Sequence, residues 1–249
     1  MRTFVISDIH GNNDAFRKAL KHVKLKKTDC LILLGDNIDR GEDSKGVLDT
    51  ILLLIENDFN LICLMGNHEE MFLNAFDSIV NLNAWLKNGG DKTLMSFLTS
   101  SIEKIAPKYI DLIKSFKNYY ENDFFVFVHA SLNMKINNPY SDIKTILWER
   151  DPFKYYDKDW IKNKILIHGH NPTLKEEIII NIENRNKIIC IDNGSFMRKE
   201  DFGSICILEL ENFKYNFIKF SRLCIVVHTR CMFKKMSYQN NIWFITSIF

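Results

Sequence analysis

CLILLGDNIDRG, residues 30–41, is the stretch that indicates the fold of this chain most directly. Its apolar run 31–34 has the length and composition of a β-strand that is buried on both faces. A glycine ends the run, and Asp36 follows at the point where a strand delivers a side chain to the edge of its sheet. Asp39 and Arg40 complete a polar cluster that an ordinary turn does not require. Taken alone, the stretch would still fit a charged loop after a buried strand.

The same arrangement occurs twice more in the first third of the chain. Residues 3–7 and 61–65 are further runs of strand length, and helical patterns at 12–23 and 44–56 separate the three strands. Strands that alternate with helices favour a parallel sheet with right-handed crossovers, and ligands bind at the carboxyl edge of such a sheet. The polar residues that follow the three strands are therefore expected to meet at one edge: Asp8 and His10; Asp36, Asp39 and Arg40; Asn67 and His68.

The rest of the chain first turns helical and then returns to strands. Residues 70–120 are mostly helical in pattern, which predicts an insertion that packs on one sheet face and forms a rim over the crevice. Antiparallel pairing is expected afterwards and suggests a second sheet. The predicted elements are strands at 124–128 and 164–168, a hairpin of 178–181 with 187–191, and a hairpin of 203–210 with 214–220.

Composition and charge limit the class of protein. The 249 residues include 33 Lys and Arg against 31 Asp and Glu, and the charges are mixed along the chain, so neither nucleic acid nor a membrane is expected as a partner. Six cysteines without a CxxC pair fit reduced core thiols. The N-terminus lacks a signal-peptide layout, and no apolar run reaches roughly 20 residues, so a cytoplasmic location is expected.

Two segments of unequal length are expected. Residues 1–220 read as one catalytic domain, because strands and helices continue through them without a low-complexity linker. Residues 221–249 read as a C-terminal tail of unknown role. Their pattern fits an additional hairpin, a docking tail or partial disorder.

Oxygen and imidazole donors at the strand ends predict a site for two metal ions. Two cations about 3.5–4 Å apart form the clamp used for phosphoester hydrolysis. A donor set without thiolates favours manganese or iron and also admits zinc. The predicted ligands are Asp8 and His10 for one ion, Asn67, His129 and His170 for the other, and Asp36 as the bridge between them.

Further residues have roles that this chemistry requires. Arg40 and Arg150 can bind phosphate oxygens, because a guanidinium fork matches two of them. Asn67 is assigned to phosphate contact as well. His68 can protonate the leaving group, with Asp39 orienting its ring and keeping it protonated.

Five motifs occur in the order SDIHG, GDNIDRG, GNHE, VHA and GHNP. Together they resemble the metallophosphoesterases of the phosphoprotein phosphatase superfamily over about residues 4–195. LWER and WLKNGG look most like the bacterial and bacteriophage serine/threonine phosphatases. The resemblance implies the calcineurin-like phosphoesterase fold, an α/β four-layer α/β/β/α sandwich of two mixed sheets flanked by helices. It also implies the six metal ligands given above, with His68 as general acid and Arg40 and Arg150 as phosphate binders.

The activity that the resemblance implies is metal-dependent hydrolysis of phosphomonoesters, on phosphoserine or phosphothreonine of proteins and, at an open shallow site, on phosphotyrosine as well. Dinucleoside tetraphosphate hydrolysis is the first alternative. Asp39, Arg40 and Glu69 argue against it, because that branch commonly carries GDxVARG and GNHD instead. A non-catalytic scaffold that binds phosphorylated partners is the second alternative, and it would be expected to lack a ligand or the acid.

Four residues close to the motifs in the sequence are not assigned to the predicted site. His168 shares a strand face with His170, but the GHxP pattern assigns the ligand to His170, so we read His168 as a supporting residue. Asp192 and Asn193 are read as a turn. Met65 stands where many members of the family have an arginine, which removes one positive charge near the rim.

Overall fold

Two β-sheets form the centre of the protein in a computed structural model, which describes residues 1–219. The strands of this range, in chain order, are Thr3–Ile6 (β1), Cys30–Leu33 (β2), Asn60–Cys63 (β3), Tyr119–Glu121 (β4), Phe125–Val128 (β5), Ile165–His168 (β6), Ile188–Cys190 (β7), Ser204–Glu209 (β8) and Lys214–Lys219 (β9).

The helices of the same range flank these sheets. They are Asn13–Val23 (α1), Ser44–Glu56 (α2), Asn67–Asn74 (α3), Ile79–Trp85 (α4), Asp91–Ser96 (α5), Pro107–Lys114 (α6), Ile143–Trp148 (α7), Lys158–Ile161 (α8) and Lys175–Glu183 (α9). A π-helical turn at Leu86–Gly90 joins α4 to α5, and short 3₁₀ turns lie at Ile102–Lys104 and Pro139–Ser141.

The two sheets bring two sets of parallel strand ends to the site. The first has the order β3-β2-β1-β8-β9, with β1, β2 and β3 parallel and β8 antiparallel to β1. The second has the order β4-β5-β6-β7, with β5, β6 and β7 parallel and β4 antiparallel to β5. Hydrogen bonds join loops from the two sets, as between the backbone N–H of His170 and Asp8, so both carboxyl edges lie at one end of the molecule.

Apolar side chains alternate along the strands and fill three layers of core. One face of each sheet packs against the other sheet, with Val5, Phe127 and Leu208 buried between them. The outer face of the first sheet is covered by α1, α2 and the helices of the insertion. The outer face of the second sheet is covered by α7 and α8. The predicted four-layer α/β/β/α sandwich is thereby confirmed.

Most predicted elements are present, but one predicted hairpin joins the other sheet and a second one does not form. The insertion packs on the first sheet through Phe72, Trp85 and Ile113, as expected, although it gives way to β4 before residue 120. The 203–210 and 214–220 pair forms a hairpin, but it joins the first sheet through β1 instead of the second.

The hairpin predicted from 178–181 and 187–191 is wrong. Residues 178–181 belong to the helix α9, which buries Ile178 and Ile182 four positions apart. The second arm is β7, which runs parallel to β6. A run of three isoleucines at 178–180 imitates a strand, because β-branched residues are common there.

Two further expectations concern the C-terminal tail and membrane-spanning helices. The tail predicted for residues 221–249 lies outside the described residues. Among the helices of residues 1–219, each is too short or too polar to cross a bilayer.

Replacing Phe127 with alanine is expected to lower the free energy of unfolding by about 3–5 kcal/mol, because the ring is fully buried between the sheets and stacks near Tyr120. Urea titration followed by circular dichroism measures the change. Phe124→Ala is the matched control, since that ring is 69% exposed and its loss should be nearly neutral. Equal effects of the two substitutions would contradict the placement of the inter-sheet core.

Candidate metal centre

Each predicted metal ligand lies in the segment that follows the carboxyl end of a parallel strand, in a loop or, for Asn67, at the first residue of α3. The strand fixes where the loop begins, and the loop turns the polar side chain inward over the end of the sandwich. Asp8 and His10 follow β1, Asp36 follows β2, Asn67 follows β3, His129 follows β5, and His170 follows β6; all six are buried.

One group of donors surrounds His129. Nε2 of His129 lies 3.0 Å from Oδ1 of Asn67, 3.1 Å from Nδ1 of His170 and 3.4 Å from Oδ1 of Asp36. Its Nδ1 lies 2.9 Å from the carbonyl oxygen of Leu34, which can only accept, so we assign the ring proton to Nδ1. Nε2 then directs an electron pair at two oxygen acceptors, an arrangement that a bound cation would stabilise.

A second group of donors surrounds the other oxygen of Asp36. Nε2 of His10 lies 3.5 Å from Oδ2 of Asp36, and Nε2 of His68 lies 3.9 Å from the same oxygen. The Nδ1–H of His10 is directed to the carbonyl of Ile38 at 3.1 Å, so Nε2 is again the unprotonated nitrogen. Asp36 thus offers one oxygen to each group, as a carboxylate between two cations does. The residues fit the dinuclear centre on which this chemistry depends.

Asp8 differs from the other predicted ligands. Its carboxylate accepts the backbone N–H of His170 at 3.0 Å and the hydroxyl of Ser7. Neither donor group within residues 1–219 includes an Asp8 oxygen. Its negative charge nevertheless acts on the centre, because burial and the like charge of Asp8 both raise the pKa of Asp36. The role of Asp8 as a ligand stays a prediction.

His68 and Asp39 form a buried pair beside Asp36. Nδ1 of His68 lies 2.8 Å from Oδ2 of Asp39, and neither side chain is exposed to solvent. The indole N–H of Trp85 donates to the same oxygen at 2.9 Å, and the hydroxyl of Thr93 donates to Oδ1 at 2.6 Å. Burial raises the pKa of Asp39 to about 7, whereas the hydrogen bonds from Thr93 and Trp85 oppose that rise.

The opposite end of the His68 ring is unused. Nε2 of His68 is buried and has no hydrogen-bond partner within the described part of the chain. Because the other nitrogen is held by Asp39, the free one can only be directed toward the centre beside Asp36. A proton on this atom would be positioned for transfer to a group bound there.

Glu69 joins the loops after β2 and β3. Its carboxylate is fully buried and accepts backbone N–H groups from Asp36 at 2.8 Å, Asn37 at 2.7 Å and Gly66 at 2.9 Å. Burial and the nearby charge of Asp36 raise the pKa of Glu69. These bonds fix the backbone on both sides of Asp36, and the backbone N–H of His68 donates to Oδ1 of Asp36 at 3.0 Å.

The loops adopt backbone conformations that are costly for ordinary residues. Five residues of the site have φ in the left-handed region, at a cost on the order of 1–3 kcal/mol each. They are His10 at 46°, Asp36 at 50°, Asp39 at 69°, Arg40 at 66° and His170 at 67°.

Two glycines without side chains make room for the carboxylates of Asp36 and Asp8. A Cβ on Gly66 would lie 2.2 Å from Oδ1 of Asp36, and one on Gly169 would lie 2.0 Å from Oδ2 of Asp8. A residue with a side chain at either position would displace the carboxylate.

The two predicted phosphate-binding arginines lie on different sides of the centre. Nη1 of Arg40 is 3.2 Å from Nε2 of His10, and its guanidinium packs over the ring of Phe196 at 4.4 Å. Arg150 is exposed, lies 3.4 Å from Oδ1 of Asn171, and its charge contributes to lowering the pKa of His170 after the larger effect of burial. An anion over the centre would therefore have a cation on each flank.

Several residues near the centre were not assigned to it from the sequence. The sequence predicts no role in the site for Trp85, Thr93 or Phe196. Asp192 follows β7, and its side chain accepts the N–H of Gly194 at 2.6 Å, as a turn residue does. It is also buried, and the charge of Asp8 adds to burial in raising its pKa, so it belongs to the surroundings of the centre. Only tertiary structure reveals these contacts.

His168 is placed behind the ligands. It is buried, its Nδ1 lies 2.9 Å from the carbonyl of Gly169, and burial lowers its pKa to about 4. It belongs to neither donor group within residues 1–219. The supporting role of His168 remains a prediction, and its position is consistent with that role.

Comparison with known proteins identifies the family of this chain. The family model of the calcineurin-like phosphoesterases matches residues 1–196. The chain belongs to the calcineurin-like phosphoesterases. It is accordingly a hydrolase of the phosphoesterase superfamily, whose chemistry uses a dinuclear metal centre.

Related sequences differ in the activities for which they are named. Serine/threonine-protein phosphatase 2 of Escherichia coli (strain K12) is 42% identical over 89 residues, which are 35% of this chain and 38% of the relative. The Salmonella typhimurium protein of the same name is 32% identical over 161 residues, 59% of this chain and 67% of the relative. The symmetrical bis(5'-nucleosyl)-tetraphosphatase of Nitrosomonas europaea is 27% identical over 216 residues, 82% of this chain and 75% of the relative.

Solved structures are similar in fold. A protein serine/threonine phosphatase from Saccharomyces cerevisiae has a TM-score of 0.61 and 13% identity, and the match covers 89% of this chain and 81% of that one. At this identity the likeness concerns the fold alone.

Replacing Trp85 with phenylalanine is expected to lower kcat for p-nitrophenyl phosphate about 10- to 100-fold, because Asp39 loses a buried N–H donor worth roughly 1.5–3 kcal/mol. Steady-state kinetics measure the change, and metal analysis confirms that the centre is still loaded. Trp160→Phe is the control, since that indole packs near Tyr140 in the outer helical layer. Unchanged kcat for the Trp85 variant would show that the indole does not support the His68–Asp39 pair.

Proposed function

We propose that this protein is a phosphoprotein phosphatase that hydrolyses phosphoserine and phosphothreonine in phosphorylated proteins. The observation that carries the proposal is the buried His68–Asp39 pair, whose free Nε2 lies beside the carboxylate shared by the two donor groups. The two relatives named as serine/threonine-protein phosphatases support the same substrate class.

The ligands of the centre are proposed to hold two divalent metal ions, with manganese as the first choice and iron or zinc as alternatives. His10 and Asp8 would hold one ion, and the other would be held by Asn67, His129 and His170, with Asp36 shared. Such ions supply an activated water and neutralise charge on a phosphate.

The arginines are proposed to bind the phosphate. Arg40 can donate from the side of His10 and Arg150 from the side of His170, so the two guanidinium groups hold the anion from opposite flanks. Phe196 and the carbonyl of Gly89 hold Arg40 in place, through the ring contact and through the backbone N–H of Arg40 at 3.2 Å. Asn67 is proposed to contact the phosphate as well.

His68 is proposed to give the proton from Nε2 to the leaving oxygen of the serine or threonine. Asp39 holds Nδ1–H, fixes the ring orientation and stabilises the charge of the protonated ring. Trp85 and Thr93 limit the movement of Asp39, so the pair is already in position before substrate arrives.

Hydrolysis of dinucleoside tetraphosphates is the second candidate. It is favoured by the similarity to the Nitrosomonas europaea protein, which extends over more of this chain than the phosphatase matches do. The motifs around Asp39, Arg40 and Glu69 favour the protein phosphatase instead. A non-catalytic scaffold is the weakest candidate, because the acid, its partner and the shared carboxylate are all in place.

Metal-free protein refilled with manganese is expected to hydrolyse a phosphothreonine peptide with a higher kcat/KM than diadenosine tetraphosphate. Phosphate release and nucleotide chromatography measure the two reactions side by side, with Asp8→Asn protein as the blank. A higher kcat/KM for the dinucleotide would replace the proposed substrate class with the second candidate. Loss of turnover without metal and its return with manganese would test the metal requirement in the same samples.

His68→Asn is expected to lower kcat about 10²- to 10⁴-fold for the phosphopeptide, because the leaving oxygen then departs without a proton from the ring. His22→Asn is the matched control, since His22 is exposed on α1. Circular dichroism and metal content should stay unchanged in both variants. Wild-type turnover by a folded, metal-loaded His68→Asn protein would remove the general-acid assignment.

A further inference from the structure

A cavity of about 540 Å³ opens beside Arg40, on the His10 side of the centre. Its wall is built from residues 11–14, 40–43, 195–199 and 202–203, with Lys92 and Lys219 completing the rim. Pockets of this size hold small molecules or a few side chains. We refer to it as the lysine pocket, after Lys92, Lys199 and Lys219.

The lysine pocket carries positive charge that the described residues do not neutralise. Two of its three acidic side chains are paired with cations, Asp14 with Lys18 at 2.6 Å and Glu42 with Arg198 at 3.6 Å. Asp43 accepts the backbone N–H of Gly46 at 2.9 Å and keeps its negative charge, which is smaller than the summed charge of the lysines. By contrast, the three lysines that define the pocket form no ion pair within residues 1–219.

The N-terminal end of α1 also faces this region. The first N–H groups of a helix have no intrahelical acceptor and favour an anion. Asn12 precedes the helix without capping it, and its side-chain Nδ2 has no hydrogen-bond partner among the described residues. These donors add to the positive potential of the lysines.

Phe196 connects the pocket to the metal centre. Its ring contacts the guanidinium of Arg40 on one side and the ring of His10, at 4.9 Å between centroids, on the other. Both Phe196 and Arg40 also line the pocket. A ligand bound to Arg40 can therefore extend past Phe196 into the pocket.

We propose that the lysine pocket binds a second anionic group of the substrate, a carboxylate or a phosphate on a residue close to the one being dephosphorylated. The enzyme would then prefer acidic or multiply phosphorylated peptides. This inference rests on the proposed function, since it concerns the substrate of the same centre.

The distribution of the charges favours a peptide over a dinucleotide. Lys92 lies on α5, Lys199 in the loop after β7 and Lys219 at the end of β9, so the cations come from three separate segments of the pocket wall. Cations on separate segments suit acidic groups at successive positions of an extended chain. A polyphosphate concentrates its charge along one short linker and would be matched by cations placed together.

Three phosphothreonine peptides test the pocket at low ionic strength, where exposed charges are least screened. The first carries flanking glutamates, the second carries glutamines, and the third carries a second phosphothreonine. Wild-type KM should be about fivefold lower for the first or third peptide than for the second, the scale of two exposed ion pairs. Which of the two is preferred separates carboxylate from phosphate recognition.

The double variant Lys92→Gln/Lys199→Gln is expected to abolish this difference while kcat for p-nitrophenyl phosphate stays unchanged, because that substrate has no second anion. Lys27→Gln/Lys104→Gln removes the same charge from exposed lysines elsewhere and should retain the difference. If the control pair lost the KM difference to the same extent, the difference would come from general attraction between the basic protein surface and acidic peptides. That result would overturn the proposal.

The remaining outcomes separate the pocket from the proposed function. Equal wild-type KM for all three peptides would overturn the pocket and leave the phosphatase standing. Turnover of p-nitrophenyl phosphate without turnover of any of the three peptides would overturn both the pocket and the proposed function. A raised KM for diadenosine tetraphosphate alone in the double variant would reassign the pocket to nucleotides.

Discussion

The carboxylate of Glu69, buried and bonded to backbone N–H groups of two loops, is the constraint on which the placement of the site depends. It holds the turn after β2 at Asp36 and Asn37 against the turn after β3 at Gly66. An unpaired buried carboxylate would be costly, but one that accepts several N–H groups is stabilised without a cation. The loops are thereby fixed in conformations that place Asp36 between the two donor groups.

Much of the fold and of the donor set could be predicted, because short contiguous stretches of the sequence indicate both. Apolar runs of strand length precede the motifs, so the end of each strand and the polar residue after it are read together. The prediction failed at 178–181, where Ile179 and Ile180 obscure the helical spacing of Ile178 and Ile182. The cage around Asp39 could not be predicted either, since Trp85 and Thr93 are 46 and 54 residues away in the chain.

The proposed chemistry and the proposed recognition use different parts of the chain. The predicted ligands, His68 and Asp39 come from segments at the strand ends, with tight backbone turns and no space for a side chain at Gly66 and Gly169. The lysine pocket comes from other parts of the chain: α5 supplies Lys92, and the loop after β7 supplies Phe196 and Lys199. Substrate choice, as proposed, would then depend on segments that can change without altering the predicted metal ligands.

The long sequence separation of the ligands has a consequence for how the protein folds. The contact between Asp8 and His170 closes a loop of 162 residues, and that between Asn67 and His170 closes one of 103. Contacts of this range form late, because the entropy of loop closure must be met before they contribute. The nascent chain would thus lack His129 and His170, two of the six predicted ligands, until the second sheet docks, and capture of metal would accompany the final step of folding.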